Sequence, residues 1–300
     1  MLTLAALAAL ADAHREDLDR PVGPLLIADR VFDVDARPVV MGTVNLSRDS
    51  TYRESVAVSV DAAVRKARVM VAEGADLVDV GAESSTASAA RVSADRQISS
   101  LVPVVERLAA DGVLVSVETY EPAVVSAALA AGARVLNMTG IEHQLQMLEL
   151  AAKHEATVVL CYSDGDNVRD VTDLDLDVDP IPGLLEHFGA RIDLARSYGV
   201  DRVVIDPGLG FYYGNLTEPS KRARHQAQVL LNGFRLRRLG VPVCNALPHA
   251  FDLFQEQFRT AEGFFAVLAL LGGTSVLRTH EVARVRAVVR AMDGIAPTSA

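Results

Sequence analysis

Short β-branched runs alternate along this chain with stretches whose apolar residues return every three or four positions. The runs cover residues 39–44, 77–80, 114–117, 134–137, 157–162, 202–206, 241–246 and 275–279. Between them Val60, Val64, Ala67 and Val71 keep helical spacing, as do Val282, Val285, Val289 and Met292 near the end. Gly74, Gly112, Gly132, Gly199 and Gly240 each stand where a helix should stop before the next run. Strand then helix, eight times over, is the arithmetic of a closed (β/α)8 TIM barrel, which typically needs about 250 residues. An open doubly wound sheet is the alternative fold, but no Gly-x-Gly-x-x-Gly follows any strand. Ahead of the barrel, 25–28 and 31–34 flank a polar break and predict a hairpin, and residues 1–13 predict a short amphipathic helix. The expected organisation is therefore an N-terminal extension over 1–36 and a barrel over 37–300.

With 300 residues, half of them apolar and 23% charged, the chain can bury a large core and is not expected to be disordered. A net charge of −10 disfavours nucleic acid as a partner, while a few local arginines could still hold a small anion. The apolar opening lacks a basic leader, and Asp12, Glu16 and Asp17 follow closely, which argues against a signal peptide. No apolar run is long enough to span a bilayer, so a soluble cytoplasmic protein without a membrane partner is expected. Cys161 and Cys244 fall in predicted strands and read as buried free thiols.

The runs end on polar residues: Asn45 with Asp49, Glu83 with Ser84 and Ser85, Glu118, Asn137, Tyr162, Asp206, and Arg278 with His280. The run before Asp206 delivers that acid into a Pro207-Gly208 turn, and in a parallel barrel such strand tips share one mouth. Acids and an amide suit the edge of a nitrogen-rich ring, because carboxylates accept paired N–H bonds and an amide does both. Arg278 and His280, two apart, can project the same way and grip a phosphate. Two strand-following stretches are long for α/β connections. Residues 163–182 carry seven aspartates without the Asp-x-Asp-x-Asp-Gly spacing of a calcium loop, and predict an extended solvated flap. Residues 211–226 carry Tyr212, Tyr213, Lys221, Arg222, Arg224 and His225, as a surface loop or a lid over an anion would.

Five ordered segments then resemble the dihydropteroate synthases. Met41-Gly42-Thr43-Val44-Asn45-Leu46-Ser47-Arg48-Asp49-Ser50 is similar to that family's Met-Gly-Ile-Leu-Asn-Val-Thr-Pro-Asp-Ser. Gly74-Ala75-Asp76-Leu77-Val78-Asp79-Val80-Gly81-Ala82-Glu83-Ser84 resembles its second signature, and Val115-Ser116-Val117-Glu118-Thr119-Tyr120 its third strand. Asp206-Pro207-Gly208-Leu209-Gly210-Phe211 resembles its sixth strand, and Leu277-Arg278-Thr279-His280-Glu281-Val282 its closing Arg-Val-His-Asp-Val. The resemblance implies a (β/α)8 fold that condenses a pterin methyl diphosphate with p-aminobenzoate and releases diphosphate. It implies that Asp206 and Asn137 hold the pterin ring, with Glu118 standing at a pterin-binding aspartate. Asn45 would help coordinate Mg2+, and Arg278 and His280 would bind the diphosphate. The candidate catalytic residues are thus Arg278, His280 and Asp206, and the candidate substrate contacts add Glu118, Asn137 and Ser85. A homodimer formed through outer helices is also implied.

The departures gather at the acceptor end. The family's Thr-Arg-Pro-Gly is Ser85-Thr86-Ala87-Ser88 here, and its Pro-Asp-Ser-Phe is Arg48-Asp49-Ser50-Thr51. Its Ser-Arg-Lys-Ser segment reads Ala246-Leu247-Pro248-His249-Ala250-Phe251, without a lysine, and Tyr162 stands where a histidine is expected. The expected activity is a synthase-like transfer of the pterin methylene to an amine or another nucleophile, with p-aminobenzoate in question as that acceptor. Two alternatives stand beside it: an inactive paralogue that binds a pterin or phosphate ligand, and a pterin-dependent methyltransferase.

Overall fold

Alternate residues of eight parallel strands face two different apolar layers, and that alternation builds the molecule. The computed structural model describes residues 2–295 apart from Arg48, Ser50, Thr51, Ala87, Ser88, Asp164, Val171, Asp177 and Tyr212. The strands are β3 (Val39–Asn45), β4 (Leu77–Gly81), β5 (Val115–Thr119), β6 (Val135–Met138), β7 (Thr157–Cys161), β8 (Val203–Asp206), β9 (Cys244–Ala246) and β10 (Val276–Thr279). They pair in the order β8-β7-β6-β5-β4-β3-β10-β9. A parallel bridge between Ile205 and Val243 joins the two ends, with the Ile205 amide donating to the Pro242 carbonyl at 3.0 Å. The expected TIM barrel is the observed fold.

Val40, Val44, Val78, Val80, Val115, Val117, Val158 and Leu160 face outward into one large core shared with the helices. Val39, Met41, Leu77, Val135, Val159, Cys161, Val204, Cys244 and Val276 belong to a second cluster that fills the barrel. The surrounding helices are α2 (Val60–Ala72), α3 (Ala94–Ala110), α4 (Pro122–Ala130), α5 (Gln144–Lys153), α6 (Pro180–Ser197), α7 (Pro219–Leu231), α9 (Ala261–Leu271) and α10 (Val282–Gly294), with a short α8 (Phe251–Phe254) before α9. The hairpin β1 (Leu25–Ile27) and β2 (Arg30–Phe32) pairs antiparallel as expected. Leu25 and Ile27 join the inner cluster, and Thr157 and Arg202 hold the Leu26 and Ala28 carbonyls, so the hairpin packs against the strand starts.

Three expectations change. Helix α1 (Leu4–Ala13) forms, but nine of its ten residues are Ala or Leu and none is buried, so it has no polar face and is not amphipathic. The stretch 211–226 is a loop only to Glu218, because Pro219 at the first helical position starts α7 there. Charge-rich Lys221–Arg224 hid that helix from a reading based on apolar spacing. The flap over 163–182 is exposed at Asp166, Asp170, Asp173, Asp175 and Asp179, but Asn167, Val168 and Arg169 are buried; Asp164 and Asp177 lie outside the described residues. Among the described residues no helix is long and apolar enough to cross a membrane. Cys161 and Cys244 are buried and unpaired.

Candidate active site at the barrel mouth

The inward parity that buries Leu77, Val135 and Val204 also turns Asp79, Asn137 and Asp206 into the barrel, two residues nearer the mouth. Asp79 Oδ1 accepts from Ser116 Oγ at 2.6 Å, and its Oδ2 from Asn137 Nδ2 at 2.9 Å. Cys161 Sγ donates to Asn137 Oδ1 at 3.1 Å, so both ends of that amide are engaged. Above this layer the Arg278 guanidinium lies 3.1 Å from Asp206 Oδ2, 3.5 Å from Glu118 Oε2 and 3.7 Å from Asp79 Oδ2. Three carboxyls thus surround one buried cation, a surplus of negative charge in a medium that disfavours charge. Burial pushes the Glu118 carboxyl up to about 7 against the pull of Arg278, and burial also raises Asp206. Burial opposes the charge on Arg278, but Asp206 and Glu118 hold it well above its ordinary value.

The turn that follows holds the Asp206 carboxyl in place. Gly208 has φ +79°, and a Cβ there would lie 2.6 Å from the Tyr162 carbonyl. The Gly208 amide donates to Asp206 Oδ1 at 2.9 Å. Oδ2 is buried and lacks a well-aligned donor, although Arg278 is near.

A cavity of about 210 Å³ opens above Arg278, and Asn45, Ser85, Glu118, Arg278 and His280 all line it. Asn137 and Asp206 do not reach that wall; they form the floor beneath Arg278, fully buried. Asn45 Nδ2 donates to Ser55 Oγ, and Thr43, on the same face of β3, lines the cavity with a buried hydroxyl that has no hydrogen-bond partner among the described residues. Glu83 also lines the cavity, but its carboxylate is engaged by Arg169 (2.6 Å), Gln97 (2.9 Å) and Tyr120. That buried Arg169 also donates to the Ser84 and Ala89 carbonyls and so ties the 163–179 segment to the loop after β4. Arg48, Ser50, Thr51, Ala87 and Ser88 of the diverged motifs lie outside the described residues.

Arg278 and His280 share the cavity but bond different groups, because Arg278 turns into the barrel while His280 lies beyond the strand's end. His280 Nδ1 is 3.0 Å from Glu262 Oε1, and its ring stacks on Tyr52 with centroids 4.5 Å apart. His249 joins them, its Nδ1 3.1 Å from the same Glu262 oxygen. Burial lowers the His280 pKa, which favours the neutral ring. Burial alone would raise Glu262, yet the two imidazoles hold it well below the carboxylate range.

Of the expected lid cations only Arg222 reaches the mouth; Lys221 and Arg224 are exposed, and Tyr212 lies outside the described residues. Tyr162, Tyr213 and His225 line a neighbouring cavity of about 250 Å³ instead. Asp79, Tyr52, His249 and Glu262 are site residues that strand tips did not reveal. A lone acid inside the apolar run Leu77-Val78-Asp79-Val80 was the available signal for the first. Glu262, in the first turn of an apolar helix, offered none.

A parallel barrel with acids and an arginine sunk beneath its mouth matches the family described as pterin binding enzyme over residues 41–280. The dihydropteroate synthase of Bacillus subtilis is 30% identical over 269 residues, covering 86% of this chain and 89% of that protein. The type-2 enzyme of Escherichia coli is 32% identical over 256 residues, 81% of this chain and 90% of its own length. The solved Xanthomonas albilineans dihydropteroate synthase with 4-aminobenzoic acid superposes with a TM-score of 0.77 at 29% identity, covering 93% of this chain and 100% of that one. The Yersinia pestis enzyme in a sulfonamide complex gives 0.79 at 26% identity, over 90% of this chain and 98% of that one. The chain belongs to the dihydropteroate synthase family of pterin-binding enzymes.

Proposed function

We propose that this protein binds a pterin-type diphosphate at the barrel mouth and transfers its methylene carbon to an amine or a related nucleophile. The observation that carries the reading is Asp206, a buried carboxyl whose Oδ2 has the Arg278 guanidinium 3.1 Å away and no well-aligned hydrogen bond among the described residues, with the Cys244 thiol as a further neighbour. The amino-pyrimidine edge of a pterin is itself an N–C–N fork of donors, chemically close to the guanidinium of Arg278. The ring would take that place on Asp206 and displace Arg278 toward the mouth, where His280 also lines the cavity. Glu118 and Asn137 would flank the ring, Ser85 the opening.

In the transfer the methylene carbon–oxygen bond breaks and diphosphate leaves with the electron pair. A carbon–nitrogen bond forms from the amine's lone pair, and the amine sheds a proton to solvent. Arg278 and His280 stabilise charge on the departing diphosphate, while Asp206 fixes the ring so that the carbon faces the acceptor. The residues fit Mg2+ on one wall: Asn45 supplies an amide oxygen and Thr43 an unpartnered buried hydroxyl, the hard oxygen donors this ion takes along with phosphate and water. Asn45 would hold the ion, whose role is to neutralise the diphosphate. The rewriting of the 246–251 segment at the acceptor end supports an acceptor other than p-aminobenzoate. A homodimer in the cytoplasm, through outer helices, completes the reading.

The test is diphosphate release from a pterin methyl diphosphate with Mg2+, in the presence of p-aminobenzoate or of other aryl and alkyl amines. Amine-dependent release is expected, slower with p-aminobenzoate than with the preferred acceptor. No release with any amine would overturn the transferase reading. Thermal stabilisation by the diphosphate ligand, about 2.7 kcal/mol at 100 times Kd, without any release would leave a ligand-binding paralogue.

A further inference from the structure

We propose that His249, Glu262 and His280 form a site for one divalent transition-metal ion of the zinc class, with an open coordination position facing the mouth cavity. Their ligand atoms lie within 4.8 Å of one another. His280 Nδ1 and His249 Nδ1 stand 3.0 and 3.1 Å from the single oxygen Glu262 Oε1. Zinc takes imidazole nitrogen at about 2.0–2.1 Å and carboxylate oxygen at about 2.0–2.2 Å, so neighbouring ligand atoms sit about 2.9–3.4 Å apart in octahedral or tetrahedral geometry. The two spacings to Glu262 Oε1 fall in that interval, and the two imidazoles lie within 4.8 Å of each other.

A network held by hydrogen bonds alone accounts for only part of the cluster. Glu262 Oε1 takes an aligned bond from His280 and a second, poorly aligned approach from buried His249 Nδ1 at 3.1 Å, so both imidazoles converge on one oxygen. The carboxylate's other oxygen, Oε2, is already occupied by the Thr279 hydroxyl and by the His280 and Glu281 amides, the latter two at 2.9 and 3.2 Å. This is the outer-shell arrangement that fixes a ligating carboxylate and leaves one oxygen for the ion. The backbone next to His249 is itself unusual, since Ala250 has φ 44°. Two imidazoles and a carboxylate suit zinc, cobalt, manganese or iron rather than Mg2+, which prefers oxygen throughout. With three protein ligands and the cavity beside them, the remaining position would take water or an anionic oxygen such as that of a phosphate. The site shares His280 with the diphosphate contact proposed above, but its own test needs neither pterin nor turnover.

Untagged, chelator-treated protein is titrated with Co2+ while its visible ligand-field bands are followed, then with Zn2+ and excess Mg2+ as competitors. One Co2+ per chain is expected, displaced by stoichiometric Zn2+ and unaffected by Mg2+. His249→Ala should weaken Co2+ binding at least tenfold while keeping the wild-type circular dichroism spectrum, and Glu262→Gln should do the same where it folds. No Co2+ band at micromolar protein, displacement by Mg2+, or wild-type affinity in His249→Ala would each overturn the site.

Discussion

Arg278 carries more of the molecule than a phosphate grip would. It is the cation among Asp79, Glu118 and Asp206, so Arg278→Ala should cost stability as well as ligand binding, about 3–5 kcal/mol where a buried charge loses its partner. The loss should depend on pH. Burial raises both Glu118 and Asp206 in the folded protein, so their contribution is intact below the ordinary carboxylate range and falls as pH rises through the raised values. The melting temperature of Arg278→Ala should therefore drop further below wild type at pH 8 than at pH 5; equal drops would contradict the network. Glu118→Gln removes one raised carboxyl and should narrow the fall in stability between pH 5 and 8, at about 2–4 °C per kcal/mol for a large domain. An unchanged pH profile would show that Glu118 stays ionised. These strand-tip residues were legible because a polar residue ending a β-branched run has one place to go. Their pairing was not: Arg278 and His280 share strand spacing, yet one turns into the barrel and the other onto Glu262.

Loops and helices around the mouth behave as elements that one side chain can release. Arg169 reaches from the 163–179 segment to Glu83, Ser84 and Ala89, while most of that segment's aspartates face solvent. Arg169→Ala should speed limited proteolysis within 163–179 more than it lowers the melting temperature, since Gln97 and Tyr120 still hold Glu83. Unaltered cleavage would mean that the segment is held elsewhere. Strands were readable from β-branching and helices from apolar spacing, because both periods report burial on one face. Helix α7 was not, since its first turns are charged, and only Ala223, Gln226 and Val229 among residues 219–229 are buried. Helix α1 forms as expected, but its almost wholly Ala and Leu sequence has no polar face. Only Leu7 and Leu10 of this helix pack, partly buried, against the core, so Thr3→Ala, which removes its N-cap, should shift the melting temperature by no more than about 2 °C. A larger loss would assign the helix a packing role.

Across the whole molecule, closure of eight parallel strands brings residues more than 200 positions apart into one mouth, as with Asn45 and His280. A net charge of −10 makes this an unwelcoming surface for a diphosphate, so the cations that receive one must be local, at Arg278 and Arg222, with His280 beside them as a neutral ring. The central claim is division of labour: buried acids read a ring, and the cations above them read the diphosphate. Calorimetric titration of wild type and Asp206→Asn with a pterin methyl diphosphate and with inorganic diphosphate tests it most directly. The account predicts a ~10–100-fold loss for the pterin ligand, as removal of a charged hydrogen bond implies, with inorganic diphosphate held within about twofold. Equal pterin affinity in the two proteins would contradict it.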